Sequence, residues 1–219
     1  MPTSTKDTNR LIDIGGEVPT NGANDEIEIY QTPYRAEVMI EGVCPLIFHR
    51  WNNEAIEEKA NSKKGSKEKK MDNIPSYLWP NEEGILCLPG EYLKQSVINA
   101  AKYEQDPRSP RKSMVDLMKA ALVSLTDLAP VMVGGVGAKA ADYIDKRRAV
   151  VQRQGITRCR PTFHKGWKAT IQLMVNLPDY VPLSKLRYLI QQAGLLVGVG
   201  DFRPSYGRFI IISFKELTS

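Results

Sequence analysis

Between Ala169 and Val175 the apolar residues Ala169, Ile171, Leu173 and Val175 are spaced two apart, with Thr170, Gln172 and Met174 between them. A period of two excludes a helix and requires a strand with one buried face. Pro178 and Pro182 end it. Leu183, Leu186, Leu189, Ile190 and Ala193 then recur at helical spacing, and Gly194 fits a left-handed C-terminal cap. A half-buried strand of the same kind runs through Arg35–Glu41, where Ala36, Val38 and Ile40 alternate with Glu37, Met39 and Glu41. The segment Val43–Trp51 continues it, and Pro45 forces an edge or a bulge there. Gly84–Leu88 is a short strand, and Pro89-Gly90 opens a helix that runs to about Tyr103 with Leu93, Val97, Ala100 and Ala101 on one face. Ser113–Ala121 reads as helix, and the pattern of Leu122–Leu125 fits either its continuation or a strand. Pro130–Gly137 is a strand entering a glycine turn. The last strand spans Arg208–Lys215, and its run of apolar residues predicts cover on both faces. The order is strand, helix, strands, a basic excursion, strand, helix, strand. It predicts an α+β fold with helices on one face of an antiparallel sheet, and the simplest solution is the ferredoxin-like, RRM-like βαββαβ palm.

The sequence divides around that palm. Residues 1–30 are polar, contain Gly15-Gly16, Pro19 and Gly22, and predict a mobile N-terminal arm. They have no apolar core of the kind a secretory signal needs. Residues 31–219 predict one domain with insertions at about 52–83 and 131–168. In the first insertion Glu54–Lys59 suits a short helix, and Asn61–Lys70 is a solvated lysine-rich loop. No apolar run reaches the length of a membrane span. Cys44, Cys87 and Cys159 lie too far apart for paired-cysteine zinc sites or a disulfide framework, which suits a reducing cytoplasm. Two histidines exclude a His-rich metal site, and Asp142, Asp145 and Asp201 show no metal-ligand spacing, so neither metal nor cofactor is expected.

The net charge of +5 is unevenly spread. Between Lys139 and Lys168 stand nine basic residues and only two acidic ones, Asp142 and Asp145, a local +7 that leaves −2 for the rest of the chain. A field so concentrated suits a polyanion. In extended chain Arg147 and Arg153 share one side and Arg148 the other, while Arg158 and Arg160 also share a side. Guanidinium forks match phosphate oxygens. Lys165 adds charge. Phe163, Trp167 and Tyr143, interleaved with these cations, offer faces for unpaired bases. The same spacing is also met by a solvated basic hairpin whose aromatics pack on the core.

A second stretch is glycine-rich: Gly194, Gly198, Gly200 and Gly207, with Arg203 and Arg208 among them. It lies between a helix and a strand, so it is not the dinucleotide fingerprint, and no GK[ST] makes it a Walker loop. Glycines let backbone N–H groups approach an anion, and they equally serve a tight helix-to-strand connection. His49 and His164 are candidate acid–base groups for RNA cleavage. His49 also suits a packed position in an apolar strand, and Cys159 suits a bystander.

Three segments resemble the RAMP superfamily of CRISPR-associated repeat-binding proteins. VMIEGVCPLIFHR resembles its first strand, LPGEYLKQSVINAAKY its strand-to-helix entry, and AGLLVGVGDFRPSYGRFIIISF its glycine-rich helix-to-strand loop. Within the superfamily the sequence is most similar to the crRNA-binding backbone subunits of multisubunit effectors, and a stand-alone phage or mobile-element relative is an alternative. The resemblance implies an RRM-like palm, an inserted thumb at 131–168, and binding of RNA backbone along a filament of like subunits in antiviral defence. It assigns Gly198, Gly200, Arg203, Gly207 and Arg208 to the glycine-rich loop and Lys94 to the helix after the Pro-Gly entry. The aspartate of target-cleaving relatives has no clear counterpart, although Asp72 lies in a suitable loop.

The sequence therefore predicts a non-catalytic, cytoplasmic protein that coats single-stranded nucleic acid, RNA favoured, as a homo-oligomer or filament and without a membrane. The alternatives are a metal-independent RAMP-type endoribonuclease using His49 or His164, and a structural phage assembly protein.

Overall fold

Alternation along two segments sets the centre of the molecule. The computed structural model describes residues 32–50, 73–151 and 154–217, together with the single positions Asn53, Glu57 and Asn61, which are helical. The N-terminal segment, Asp72 and Arg153 lie outside the described residues. Strand β1 (Tyr34–Gly42) buries Ala36, Val38 and Ile40. The chain then breaks at Gly42, and β2 (Leu46–Ile47) joins a different sheet. After a 3₁₀ turn at Pro75–Tyr77 come β3 (Cys87–Pro89) and α1 (Gly90–Ala100), extended by a 3₁₀ turn to Tyr103. All four residues expected on the buried face of α1 and its extension, Leu93, Val97, Ala100 and Ala101, are fully buried.

A short hairpin follows, β4 (Gln105–Asp106) with β5 (Ser109–Ser113). Helix α2 (Val115–Ala121) follows, and Leu122 turns into strand β6 (Leu122–Ser124), which decides the ambiguity at that point. Strand β7 (Leu128–Pro130) pairs with β3, and β8 (Met132–Val133) and β9 (Val136–Gly137) form a hairpin whose turn, Gly134-Gly135, has φ of 59° and 85°. Positive φ at both central residues is the requirement of a type I′ two-residue hairpin turn. The basic excursion is a long hairpin, β10 (Tyr143–Val151) with β11 (Gln154–Phe163). Strand β12 (Lys168–Val175), helix α3 (Leu183–Gln192) and β13 (Phe209–Leu217) complete the chain.

The main sheet runs β13-β1-β12-β8-β9, with β6 also on β12, and every pairing in it is antiparallel. The residues Ala36, Val38, Ile40, Ala169, Ile171, Leu173 and Val175 share one core with Leu93 and Val97 of α1 and Leu186, Leu189 and Ile190 of α3. Helices thus cover one sheet face, as an α+β protein requires.

The opposite face carries polar pairs. Glu37 lies 2.8 Å from the Lys215 ammonium and accepts a hydrogen bond from Gln172 at 3.1 Å, while Lys168 reaches Glu41 at 3.1 Å. Positions registered onto this face from β1, β12 and β13 include no aromatic residue. An RRM uses aromatics there to stack bases, and this sheet has none to offer.

Two expectations need correction. The last strand is not covered on both faces, because β13 is an edge strand with Ile210 and Ile212 about half exposed. Ile212 falls at a register shift against β1, between Met39 and Ile40. Such a bulge bends an edge and weakens it as a template for pairing. Gly194 is not a left-handed cap either. Helix α3 continues into a π-helical turn, Ala193–Val197, and the positive φ (79°) falls on Gly198. Gly194 lies within that turn, where a Cβ would meet the Phe209 carbonyl oxygen.

Candidate nucleic-acid interface

Nine register pairs, from Tyr143 opposite Thr162 to Val151 opposite Gln154, make the basic excursion an antiparallel hairpin. Its root is fixed by β2, where Thr162 pairs with Ile47 and Phe163 with Leu46. Alternation sorts its charges onto two faces. Lys146 and Arg148 point outward and are exposed; Asp145 and Arg147, opposite Arg160 and Arg158, face inward and are half-buried.

The inner face is occupied by its own contacts. Two like charges, Arg147 and Arg158, stand directly opposite each other. Asp145 relieves them, accepting two hydrogen bonds from Arg147 at 2.5 and 2.6 Å. The Arg147 guanidinium also lies 4.6 Å from the Phe202 ring centroid and 4.3 Å from that of Tyr206. The Asp145 hydrogen bonds raise its pKa above the usual arginine value, outweighing desolvation, and Tyr206 adds to the effect. Arg160 is only 4% exposed. Its Nε donates to Asp201 at 3.3 Å, its Nη1 to the Cys159 carbonyl at 3.1 Å, and its guanidinium sits 4.3 Å from the Tyr77 ring. Arg147 and Arg160 are therefore struts between the hairpin and the loop 201–206 and are not open phosphate sites.

The expectation that Phe163 and Trp167 stack bases is corrected, because both are fully buried. Phe163 packs edge-on against Phe48 at 5.7 Å, and Trp167 Nε1 donates to the Cys44 carbonyl at 3.0 Å. A Cβ at Gly42 would collide with the Trp167 indole, so the glycine ending β1 is what admits that ring. Of the three interleaved aromatics only Tyr143 is half-exposed, stacked on His164 with centroids 4.7 Å apart.

The glycine-rich loop is a tight connection clamped onto β2. Gly198 N–H donates to the Ala193 carbonyl at 2.8 Å, and Gly207 N–H to the Pro45 carbonyl at 2.8 Å. Asp201 N–H donates to the Ile47 carbonyl, also at 2.8 Å. The N–H groups of Gly198 and Gly207 are thus committed within the chain, which corrects the expectation that they face an anion. Gly200 has φ of 81°, and a Cβ there would stand 2.6 Å from the Ile47 carbonyl oxygen. Arg208 Nε donates to the Pro204 carbonyl at 2.8 Å, bracing the loop. Arg203, at its tip, is exposed. Lys94 is on α1, 3.0 Å from Glu91.

The outward charges are therefore Lys146 and Arg148 on the hairpin, Lys165 and Lys139 at its base, and Arg203 on the loop, all exposed. Beside the loop, His49 Nδ1 lies 3.8 Å from Asp201 Oδ2, with the His49 side chain 39% exposed. His49 is thus not packed in the core. Tyr77 meets it edge-on at 5.2 Å, and the Tyr92 hydroxyl reaches its carbonyl at 3.5 Å. The sequence pointed neither to the pairing of Asp201 with Arg160 and His49 nor to Phe202, Tyr206 and Tyr77, although the interleaving of Phe202, Arg203 and Tyr206 was a signal of the kind that singled out the hairpin. Among the described residues no group of three or more His, Cys, Asp or Glu side chains is placed to hold a metal ion, and no helix is long and apolar enough to cross a membrane.

No family model and no curated protein matches the chain. Among solved structures it is similar to a chain from the cryo-EM structure of the type III-B Cmr-beta bound to cognate target RNA. The TM-score is 0.51 at 8% identity, over 85% of this chain and 61% of that one. The chain thus spans less than two thirds of that neighbour's length, and at this identity the likeness is one of fold.

Proposed function

We propose that the chain is a non-catalytic single-stranded nucleic-acid-binding protein, RNA favoured, that lines up with like subunits along the strand. The observation that carries this reading is the β10–β11 hairpin, which presents Lys146 and Arg148 to solvent while its inward arginines are held by Asp145, Asp201 and aromatic rings. Rigid framing of a cationic face favours phosphate contact without a large ordering cost. The fold shared with a chain from an RNA-bound Cmr-beta structure supports the same substrate class and a RAMP-like, CRISPR-associated origin. The sheet order supports a ferredoxin-like palm, with β1, α1, β6 with β8, β12, α3 and β13 as its βαββαβ units.

The test is binding of a labelled single-stranded uridine 20-mer to the purified chain and to Lys146→Glu/Arg148→Glu. The expected outcome is weaker binding by the variant at an unchanged thermal midpoint. Equal binding by the two proteins would remove the hairpin from the interface.

One observation favours a second reading, a metal-independent endoribonuclease. His49 Nδ1 lies 3.8 Å from Asp201 Oδ2 and both side chains are part-exposed, an arrangement that suits a general base and the group orienting it. Metal-free cleavage of RNA that disappears in His49→Ala would establish it in place of the first.

A further inference from the structure

Exposed rings and cations also gather on a part of the molecule built from other elements. The residues from Lys102 to Lys112 carry four cations and two acids, Glu104 and Asp106. Both acids are engaged. Glu104 accepts from Lys185 Nζ at 2.6 Å and from the Tyr188 hydroxyl at 2.9 Å, which ties this segment to α3. Asp106 is buried and takes the Arg108 guanidinium at 2.8 Å. Lys102, Arg111 and Lys112, with Arg187 on α3, remain exposed. Three tyrosine rings stand among them, Tyr103 61%, Tyr180 42% and Tyr188 41% exposed. Lys102, Arg108 and Lys185 lie 4.7, 5.6 and 5.0 Å from the centroids of Tyr103, Tyr180 and Tyr188 respectively.

Tyr188 also borders a groove between α3 and β13. It has a volume of about 540 Å³ and is lined by Leu183, Ser184, Arg187, Tyr188, Gln191 and Phe214. That is within the size range of small-molecule sites. Its walls combine two aromatic rings with one guanidinium. The Glu104 hydrogen bond fixes the Tyr188 hydroxyl, so the ring is positioned before any ligand arrives.

We propose that this groove, with the cationic β4–β5 hairpin beside it, is a second contact surface for single-stranded nucleic acid, with a base against Tyr188 and Phe214 and its phosphate at Arg187. Rings alternating with cations are the pattern that a strand of bases and phosphates matches. The polar face of the sheet has no aromatic residue, Phe163 and Trp167 are buried, and Tyr143, Phe202 and Tyr206 by the hairpin are only part-exposed, so the most exposed rings that stand among cations are those of this surface. The inference rests on the nucleic-acid-binding reading above but uses none of the hairpin residues that carry it.

The experiment cross-links a 4-thiouridine-substituted uridine 12-mer to the full chain by near-ultraviolet light, maps the attached peptide, and measures affinity in parallel. Four proteins are compared: parent, Arg187→Glu/Tyr188→Ala, Tyr188→Phe, and the hairpin variant Lys146→Glu/Arg148→Glu. The expected cross-link is on the α3 peptide containing Tyr188. It persists in the hairpin variant and in Tyr188→Phe, which keeps the ring. It is lost in the groove variant, whose affinity falls about tenfold, the scale of one lost stacking contact. A groove variant with the parent's melting temperature and affinity, together with no cross-link on α3, overturns the inference and leaves the hairpin reading standing. A persistent α3 cross-link with no effect of the hairpin variant would support the groove and overturn the hairpin. Should the double variant unfold, the exposed single variant Arg187→Ala takes its place, with parental affinity counting against the groove.

Discussion

Arg148 and Arg160 are both arginines of the same hairpin, and the structure gives them opposite roles. Arg148 points to solvent, whereas Arg160 is buried against Tyr77 and Asp201. Arg148→Ala is expected to change stability by no more than about 0.5 kcal/mol while weakening single-strand binding by about 1–2 kcal/mol, the scale of a charge-assisted phosphate contact. Arg160→Ala should do the reverse, lowering stability by about 1–3 kcal/mol because a buried side chain is lost and the part-buried Asp201 and Cys159 carbonyl lose their donor. Urea denaturation and anisotropy on the same samples separate the two. If Arg160→Ala binds poorly yet keeps full stability, the strut assignment is wrong. Gly200 gives a second residue-level expectation. Its positive φ and the nearby Ile47 carbonyl make Gly200→Ala destabilising by about 1–3 kcal/mol, read as a lower denaturation midpoint. The sequence could locate these arginines and glycines but could not divide them between binding and framework. That division depends on strand register, which assigns Arg160 to the inner face, and on Asp201 forty-one residues away meeting it there.

At the scale of elements, the strands and helices with strong periodicity were legible. β1, β12, α1 and α3 all fall where apolar spacing placed them, because each buries one face against the same core. What was not legible came from pairing partners distant in the chain. Leu46-Ile47 reads as a continuation of β1, yet it leaves that sheet to pair with β11. Phe163 and Trp167 read as free aromatics between cations, yet strand alternation and the Gly42 opening draw them into the core. The hairpin as a unit carries an electrostatic prediction. If binding neutralises about five phosphates, log affinity should fall against log salt with a slope near −3.5, and Lys146→Glu/Arg148→Glu should make that slope shallower by about 1.4. A flat response between 50 and 300 mM salt, roughly the range over which such contacts are screened, would exclude phosphate contact as the source of affinity.

For the whole molecule, acid should be the sensitive direction. Arg108 holds the Asp106 carboxyl down to about 2, chiefly through side-chain hydrogen bonding. Lys215 lowers Glu37 in the same way, and Lys185 lowers Glu104. A depressed carboxylate stabilises the fold fully above its unfolded value, near 4, and loses that contribution as pH falls through the folded value. Melting temperature at low salt should therefore decline from about pH 5 toward pH 2 and stay level between pH 6 and 8. Arg108→Ala should melt lower than the parent above about pH 5 and lose less on acidification, so that the two profiles converge toward about pH 2, and identical profiles would show that the Asp106 pair does not contribute.

The long hairpin has a mechanical consequence. Nine register pairs give the hairpin a length of about 30 Å, but the Arg147–Arg158 pair is held to the loop 201–206, and the four pairs beyond it extend for about 13 Å. That free end behaves as a lever about the held pair: a rotation of roughly 10° there sweeps the far end by about 2 Å, given that reach. The segment Pro45–Ile47, which contains β2, also clamps the glycine loop through the Pro45 and Ile47 carbonyls. A pull on the arm is thus felt first by Arg147 and Arg160, and through Arg160 by Asp201 and its neighbour His49, so tension along a bound strand would be transmitted to that pair.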